Sequence, residues 1–216
     1  MTVQYENLLP MEIEKRSFEI ISEELARLDI RLDPELEPVI RRVIHTTADF
    51  EYAKTLTFSP DAIAHAMRAI RAGACIVTDT RMAMSGINKK ALAKYGGRVY
   101  NFISDEDVAE IAKKNGTTRS AVCMDKAAKL DVPLIFAIGN APTALIRLYE
   151  LIQEGRIRPE LVIGVPVGFV NVEYAKELIL TTDVPYIVAR GRKGGSNVAA
   201  AICNAILYRM DETRGR

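Results

Sequence analysis

The feature that most constrains this chain is an alternation that runs through its last two thirds. Short apolar runs occur at 74–77, 99–103, 134–138, 161–165 and 186–189, and each is followed by a segment with helical spacing. Runs this short and this uniformly apolar suit strands buried on both faces, as in parallel sheets. Strands that alternate with helices make βαβ units, and right-handed crossovers then place helices on both faces. The expected fold class is α/β, a mainly parallel sheet flanked by helices on both faces, with a helical N-terminal third. In that third, residues 11–28 carry Ile13, Phe18, Ile20, Ile21, Leu25 and Leu28 at roughly helical spacing. Asp33-Pro34 predicts the start of a second helix, which runs through Arg41, Arg42 and His45. Ser59-Pro60 repeats the start signal, and Gly73 supplies a stop.

The 216 residues suit one domain spanning 1–216, with a polar, frayed tail from about residue 211. With 49% hydrophobic residues, the chain has ample material for a core. Its 29 Lys+Arg against 28 Asp+Glu argue against nucleic acid as a partner, because phosphate binding needs clustered positive charge. No stretch approaches the ~20 apolar residues of a membrane span. The opening MTVQYENLLPMEIEKR lacks the basic start and apolar run of a signal peptide. A soluble cytoplasmic chain is expected, without a membrane partner. Cys75, Cys123 and Cys203 are far apart and odd in number, which predicts buried free thiols and no disulfide framework. His45 and His65 lack metal-ligand spacing, so no metal site is expected.

Three strand ends share a chemistry. Residues 134–138 run into Gly139-Asn140-Ala141-Pro142-Thr143. Residues 161–163 run into Gly164-Val165-Pro166-Val167-Gly168-Phe169-Val170-Asn171. Residues 186–189 run into Arg190-Gly191-Arg192-Lys193-Gly194-Gly195-Ser196-Asn197. Ligands of open parallel sheets sit at the carboxyl ends of the strands. Glycine there admits a ligand close to the backbone, and the following helix N-termini offer free amides that suit anions. Asn140, Thr143, Gly168, Arg192, Lys193 and Ser196 are the candidate contacts. Glycine at such turns also serves plain turn geometry. The dinucleotide fingerprint GxGxxG and the phosphate loop GxxxxGK[ST] are both missing, so a carboxylate ligand is as well supported as a phosphate.

His45 lies just past the apolar stripe Leu36, Val39, Ile40, Val43 and Ile44. Arg41 and Arg42 precede it by four and three residues, so all three can share a flank. A histidine beside two arginines can meet an acidic ligand and exchange a proton near neutral pH, or can simply end a helix. His65, in an alanine-rich helix, reads as a packing or surface residue. Arg119 and Ser120 open a helix after Gly116, where capping and ligand contact are equally open. Asp79, in Thr78-Asp79-Thr80-Arg81, reads either as a site acid or as a cap. Lys89, Lys90, Lys113 and Lys114 read as solvated helix faces.

Taken together, IGNAPTAL, GVPVGFV, RGRKGGSN, RRVIH and EKRSF resemble the precorrin-8X methylmutase (precorrin isomerase) family, in the same order and from about Glu14 to Tyr208. The resemblance implies a homodimeric α/β isomerase of cobalamin biosynthesis. Such enzymes move a methyl group between adjacent carbons of ring C. Precorrin-8X becomes hydrogenobyrinate, or cobalt-precorrin-8 becomes cobyrinate, and no added cofactor takes part. It maps the catalytic histidine onto His45 and substrate contacts onto Ser17, Arg42, Arg119 and Ser120. It also implies a corrinoid substrate and product as partners. One departure is visible: many members read ESK a few residues past GFV, where this chain has Tyr174, Ala175 and Lys176, with Glu173 one place earlier. A tetrapyrrole carrier without turnover and a small-molecule transferase with an anionic cosubstrate are the other readings of the same loops.

Overall fold

The computed structural model describes residues 9–211; of the expected polar tail, all but Asp211 lies outside them. Its strands are β1 (Leu56–Phe58), β2 (Cys75–Thr78), β3 (Val99–Tyr100), β4 (Leu134–Ile138), β5 (Leu161–Gly164) and β6 (Tyr186–Ala189). They form one sheet in the order β1-β6-β5-β4-β2-β3. All neighbours are parallel except β1 with β6. The five expected strands are present. The antiparallel edge strand β1, inside the N-terminal third read as helical, is an addition: three residues are too few for an alternation to show.

Side chains alternate across the sheet and feed two cores. Ile76, Ile135, Ala137, Leu161, Ile163, Ile187 and Ala189 face one. Cys75, Val77, Leu134, Phe136, Ile138, Val162 and Val188 face the other. The first core is covered by α1 (Pro10–Arg27), α2 (Glu37–Thr47), α4 (Ala62–Arg71), α5 (Arg81–Gly86), α6 (Lys89–Ala93) and α11 (Ser196–Arg209). The second is covered by α7 (Glu106–Asn115), α8 (Arg119–Ala127), α9 (Pro142–Gln153) and α10 (Val172–Leu180). A one-turn helix, α3 (Tyr52–Thr55), leads into β1. The chain leaves β2 in one direction for β3, then restarts on its other side with β4. The crevice between the carboxyl ends of β2 and β4 is therefore the topological switch point.

Two helix starts differ from the sequence expectation. The Asp33 carboxylate accepts the Glu35 N–H at 2.8 Å, and its carbonyl accepts that of Leu36. This turn delays α2 to Glu37. The Ser59 hydroxyl accepts the Tyr186 N–H at 2.9 Å, so it fastens β1 to β6 and does not cap α4. Gly73, with φ +89°, ends that helix as expected. All three cysteines are free and buried. Burial pushes the Cys123 thiol up to about 11 and the Cys203 thiol up to about 12, which leaves both unreactive near neutral pH.

Phe136 sits in the central strand and is fully enclosed. Phe136→Ala is expected to lower unfolding free energy by about 3–5 kcal/mol, from lost burial plus a residual cavity, read as a lower urea midpoint with little change in slope.

Candidate active site

The switch point is plugged by a carboxylate of the chain itself. Asp79, one residue past β2, accepts the N–H of Gly139 at 2.9 Å, of Asn140 at 2.8 Å and of Ala141 at 2.7 Å. The group is almost wholly buried. Burial pushes its carboxyl above the usual range, against three amides that favour the charged form. Asp79 is therefore the cap of the α9 entry. The amides expected to be free for a ligand at this loop are already taken. Gly139 is required here: a Cβ would lie 2.7 Å from the Ser196 Cα, inside the start of α11. The Thr80 hydroxyl meets that of Ser196 at 2.7 Å, which joins the entries of α5 and α11.

The two remaining loops are laced together. The Gly168 N–H donates to the Arg192 carbonyl at 3.1 Å, and the Gly195 N–H donates to that of Val165 at 2.9 Å. Beneath them lies Lys176, fully buried on α10. Its ammonium donates to the carbonyls of Gly191 at 2.7 Å and Lys193 at 2.8 Å. Burial pulls its pKa down to about 8, partly opposed by Glu173. Sequence reading noted this lysine only as a retained motif position; nothing in a lone internal lysine signals a structural staple. Arg192, exposed, bonds Glu173 through Nε at 3.0 Å and lies 5.7 Å from the Phe169 ring centre. Lys193 does not project freely: its ammonium binds Asp49 and Glu51, each at 2.6 Å, which raises its pKa further.

The histidine site is built by α1 and α2. The Ser17 hydroxyl meets His45 Nδ1 at 2.8 Å. Phe18 stacks on the imidazole, with centroids 5.2 Å apart and planes 25° from parallel. On the same ring lie the guanidinium groups of Arg42 at 4.8 Å and Arg41 at 5.4 Å. Arg42 also covers Tyr208, at 5.3 Å, and is ion-paired with Glu14. Arg41 is a structural residue, donating to Glu37, the Phe18 carbonyl and Ser22. The shared flank predicted for His45, Arg41 and Arg42 is present, with Phe18 as its centre. Glu14 and Tyr208 were missed, because stacking and pairing between distant helices leave no local spacing. With Nδ1 met by Ser17, Nε2 is the ring nitrogen left for a ligand; it has no partner among the described residues. His65 instead pairs with Glu160, at 2.9 Å, on the protein surface.

Thr118 caps α8 by accepting the Ala121 N–H, and its hydroxyl donates to Thr143 at 2.8 Å. This brings Thr143 beside Arg119 and Ser120. Neither Arg119 nor Ser120 has a side-chain partner among the described residues, so the capping role falls to Thr118 alone. The predicted residues thus form a helical group (Ser17, Arg42, His45) and a loop group (Arg119, Ser120, Asn140, Thr143, Gly168, Arg192, Ser196). No hydrogen bond or ring contact joins them directly among the described residues. Lys193, reaching from the last loop to the Asp49–Glu51 turn just past α2, ties them by ion pairs, alongside α11, which begins at Ser196 and carries Tyr208 against Arg42.

The family model described as precorrin-8X methylmutase matches residues 12–209. The chain belongs to the precorrin-8X methylmutase family. It is 48% identical to the cobalt-precorrin-8 methylmutase of Priestia megaterium over 202 residues, covering 94% of this chain and 89% of that one. It is 38% identical to the precorrin-8X methylmutase of Pseudomonas aeruginosa over 196 residues, covering 90% and 93%. The crystal structure of the precorrin-8X methylmutase from Thermus thermophilus superposes with a TM-score of 0.80 at 40% identity, covering 90% of this chain and 95% of that one. The α/β fold is thus shared with that structure over nine tenths of this chain.

The Lys176 burial has a pH signature. Folded, it loses its proton near pH 8; unfolded, near its ordinary 10.5. Between these values the unfolded chain binds more protons, so stability rises with pH through this window and the contribution is lost again as pH falls through 8. Relative to Lys176→Met, wild type is expected to gain about 3 kcal/mol between pH 7 and 10.5 in urea unfolding. A pH-independent difference would mean that the amine titrates alike in both states.

Proposed function

We propose that this chain is an intramolecular methyl-transferring isomerase that converts cobalt-precorrin-8 to cobyrinate, with metal-free precorrin-8X as the competing substrate. The observation that carries the reading is His45 in a methylmutase-family chain, its Nδ1 held by Ser17 and its Nε2 without a partner among the described residues. Higher identity to the cobalt-precorrin-8 enzyme, 48% against 38%, favours the cobalt-containing substrate.

The substrate is a broad apolar ring with carboxylates around its rim. Val167, Phe169, Val170 and Tyr174 are exposed beside the loop cations and offer an apolar wall. Arg119 and Arg192 supply guanidinium groups for rim carboxylates. Arg42 joins them where a rim carboxylate replaces Glu14, and Lys193, held by Asp49 and Glu51, shapes the loop. Ser120, Asn140, Thr143, Gly168 and Ser196 supply the remaining polar surface. In this reading His45, as imidazolium, donates a proton or hydrogen bond from Nε2 to the ring-C region. That draws electron density from the conjugated system and favours methyl migration. Ser17 and Phe18 fix the ring's plane, and both arginines keep the surroundings suited to an anionic ligand. No cofactor takes part in the reading. The protein is cytoplasmic and a homodimer, with Ile13 and Ile20 on α1 and Leu28 just beyond it as exposed apolar contacts; sedimentation tests the dimer. No helix among the described residues is long and apolar enough to cross a membrane.

Purified protein is expected to convert cobalt-precorrin-8 far beyond stoichiometry, followed by absorbance; conversion that stops at one equivalent would make it a carrier. His45→Ala, folded by circular dichroism, is expected to lose at least about 100-fold in kcat. Near-normal turnover by that variant would remove His45 from the mechanism.

A further inference from the structure

Helix α9 is capped from outside its own sequence. Its N-cap position is Ala141, which has no side-chain acceptor, and Pro142 follows without an N–H. The acceptor is Asp79, buried one residue past β2. One of its oxygens takes the Gly139 N–H, and the other takes those of Asn140 and Ala141. The side chain of Asn140 is therefore not needed at the helix start. It is exposed and has no partner among the described residues. The same turn meets the starts of two neighbouring helices. Thr143, the second residue of α9, accepts the Thr118 hydroxyl at 2.8 Å. Thr118 is the N-cap of α8, whose first two residues are Arg119 and Ser120. On the other side, Gly139 lies against Ser196, the first residue of α11. The hydroxyl of Thr80, next to Asp79, meets that of Ser196 at 2.7 Å.

We propose that Asp79 is a positioning residue for substrate binding: by fixing the turn 139–141 it sets where α8, α9 and α11 begin, and so holds Asn140, Thr143, Arg119, Ser120 and Ser196 in register for one ligand. This rests on the corrinoid reading above. Three donors on two oxygens call for a carboxylate. An asparagine amide accepts through one oxygen only and turns its own NH2 toward the remaining N–H groups. At least one buried donor is then left unpaired, and the turn must shift to satisfy it. The contacts that fix His45 run between α1 and α2, from Ser17 and Phe18, and do not include this turn. The effect of Asp79 therefore falls on substrate binding more than on the proton donor.

The test uses full-length wild type, Asp79→Asn, Arg119→Ala, Ser17→Ala and the two double variants that combine Asp79→Asn with each of the others. Turnover of cobalt-precorrin-8 is measured alongside calorimetric binding of cobyrinate and amide hydrogen exchange by NMR. Asp79→Asn is expected to raise KM and weaken cobyrinate binding about tenfold, with kcat falling less than about threefold. Arg119→Ala should have a smaller effect in the Asp79→Asn background than in wild type, because Arg119 acts through the register that Asp79 sets. Ser17→Ala should lower kcat/KM by the same factor in both backgrounds. Exchange in Asp79→Asn should be at least about tenfold faster at Asn140, Ala141 and Ala121, and unchanged in α2. Unchanged KM, full additivity with Arg119→Ala, or unchanged exchange at Ala121 would overturn the proposal. So would kcat falling as far as KM rises, which marks a general loosening of the fold. If Asp79→Asn does not fold, Thr143→Val decides: faster exchange at Ala121 supports the link between the two helix starts, and unchanged exchange there overturns it. Wild type that binds cobyrinate without turnover would sink the isomerase reading, and the same cycle read in cobyrinate affinity would still decide the role of Asp79.

Discussion

One buried carboxylate organises the carboxyl edge of this sheet. Asp79 gathers the amides of Gly139, Asn140 and Ala141 from across the switch point, and so sets where α9 begins. The close passage of Gly139 against Ser196 then fixes α11, and α11 carries Tyr208 beneath Arg42. An ordinary open α/β sheet leaves its switch-point crevice to the ligand. Here the chain fills that crevice itself, and in the proposed function the ligand is held instead by the loop tips and by the flank of α1 and α2.

Charge is used in the same way on the other side of the edge. Lys176 holds carbonyls from below, as Asp79 holds amides. Both groups are oriented by backbone, and neither relies on an ion pair for its geometry. Exposed pairs such as Arg158–Asp183 contribute little and set nothing. The ion pairs that do shape the site are those that bridge elements: Arg42 with Glu14 between α2 and α1, and Lys193 with Asp49 and Glu51 between the last loop and the end of α2.

The architecture was legible in the sequence because parallel strands are short, apolar on both faces and separated by helices. The five runs need no tertiary information to be seen. Strand β1 was not legible: three residues, Leu56, Thr57 and Phe58, have no periodicity, and their strand character comes from pairing with β6. The position of His45 and its arginines was legible from helical spacing, but its surroundings were not. Phe18 and Tyr208 reach it from helices far away in sequence. The loops were recognised as glycine-rich, but their amides were assumed free. For residues 139–141 a distant carboxylate had already claimed them, and only the three-dimensional structure reveals such a claim. Lys193 likewise reads in sequence as a projecting cation and proves to be a tether.

The close approach of Gly194 to the Val165 and Pro166 carbonyls has an evolutionary consequence. A position that admits no side chain cannot be recruited to alter selectivity, and Gly139 is closed for the same reason. Diversification at this edge is confined to residues whose side chains already face outward, such as Phe169, Tyr174 and Arg192. Under the proposed function, substitutions there would change which rim groups are favoured, while the backbone scaffold beneath them stays as it is.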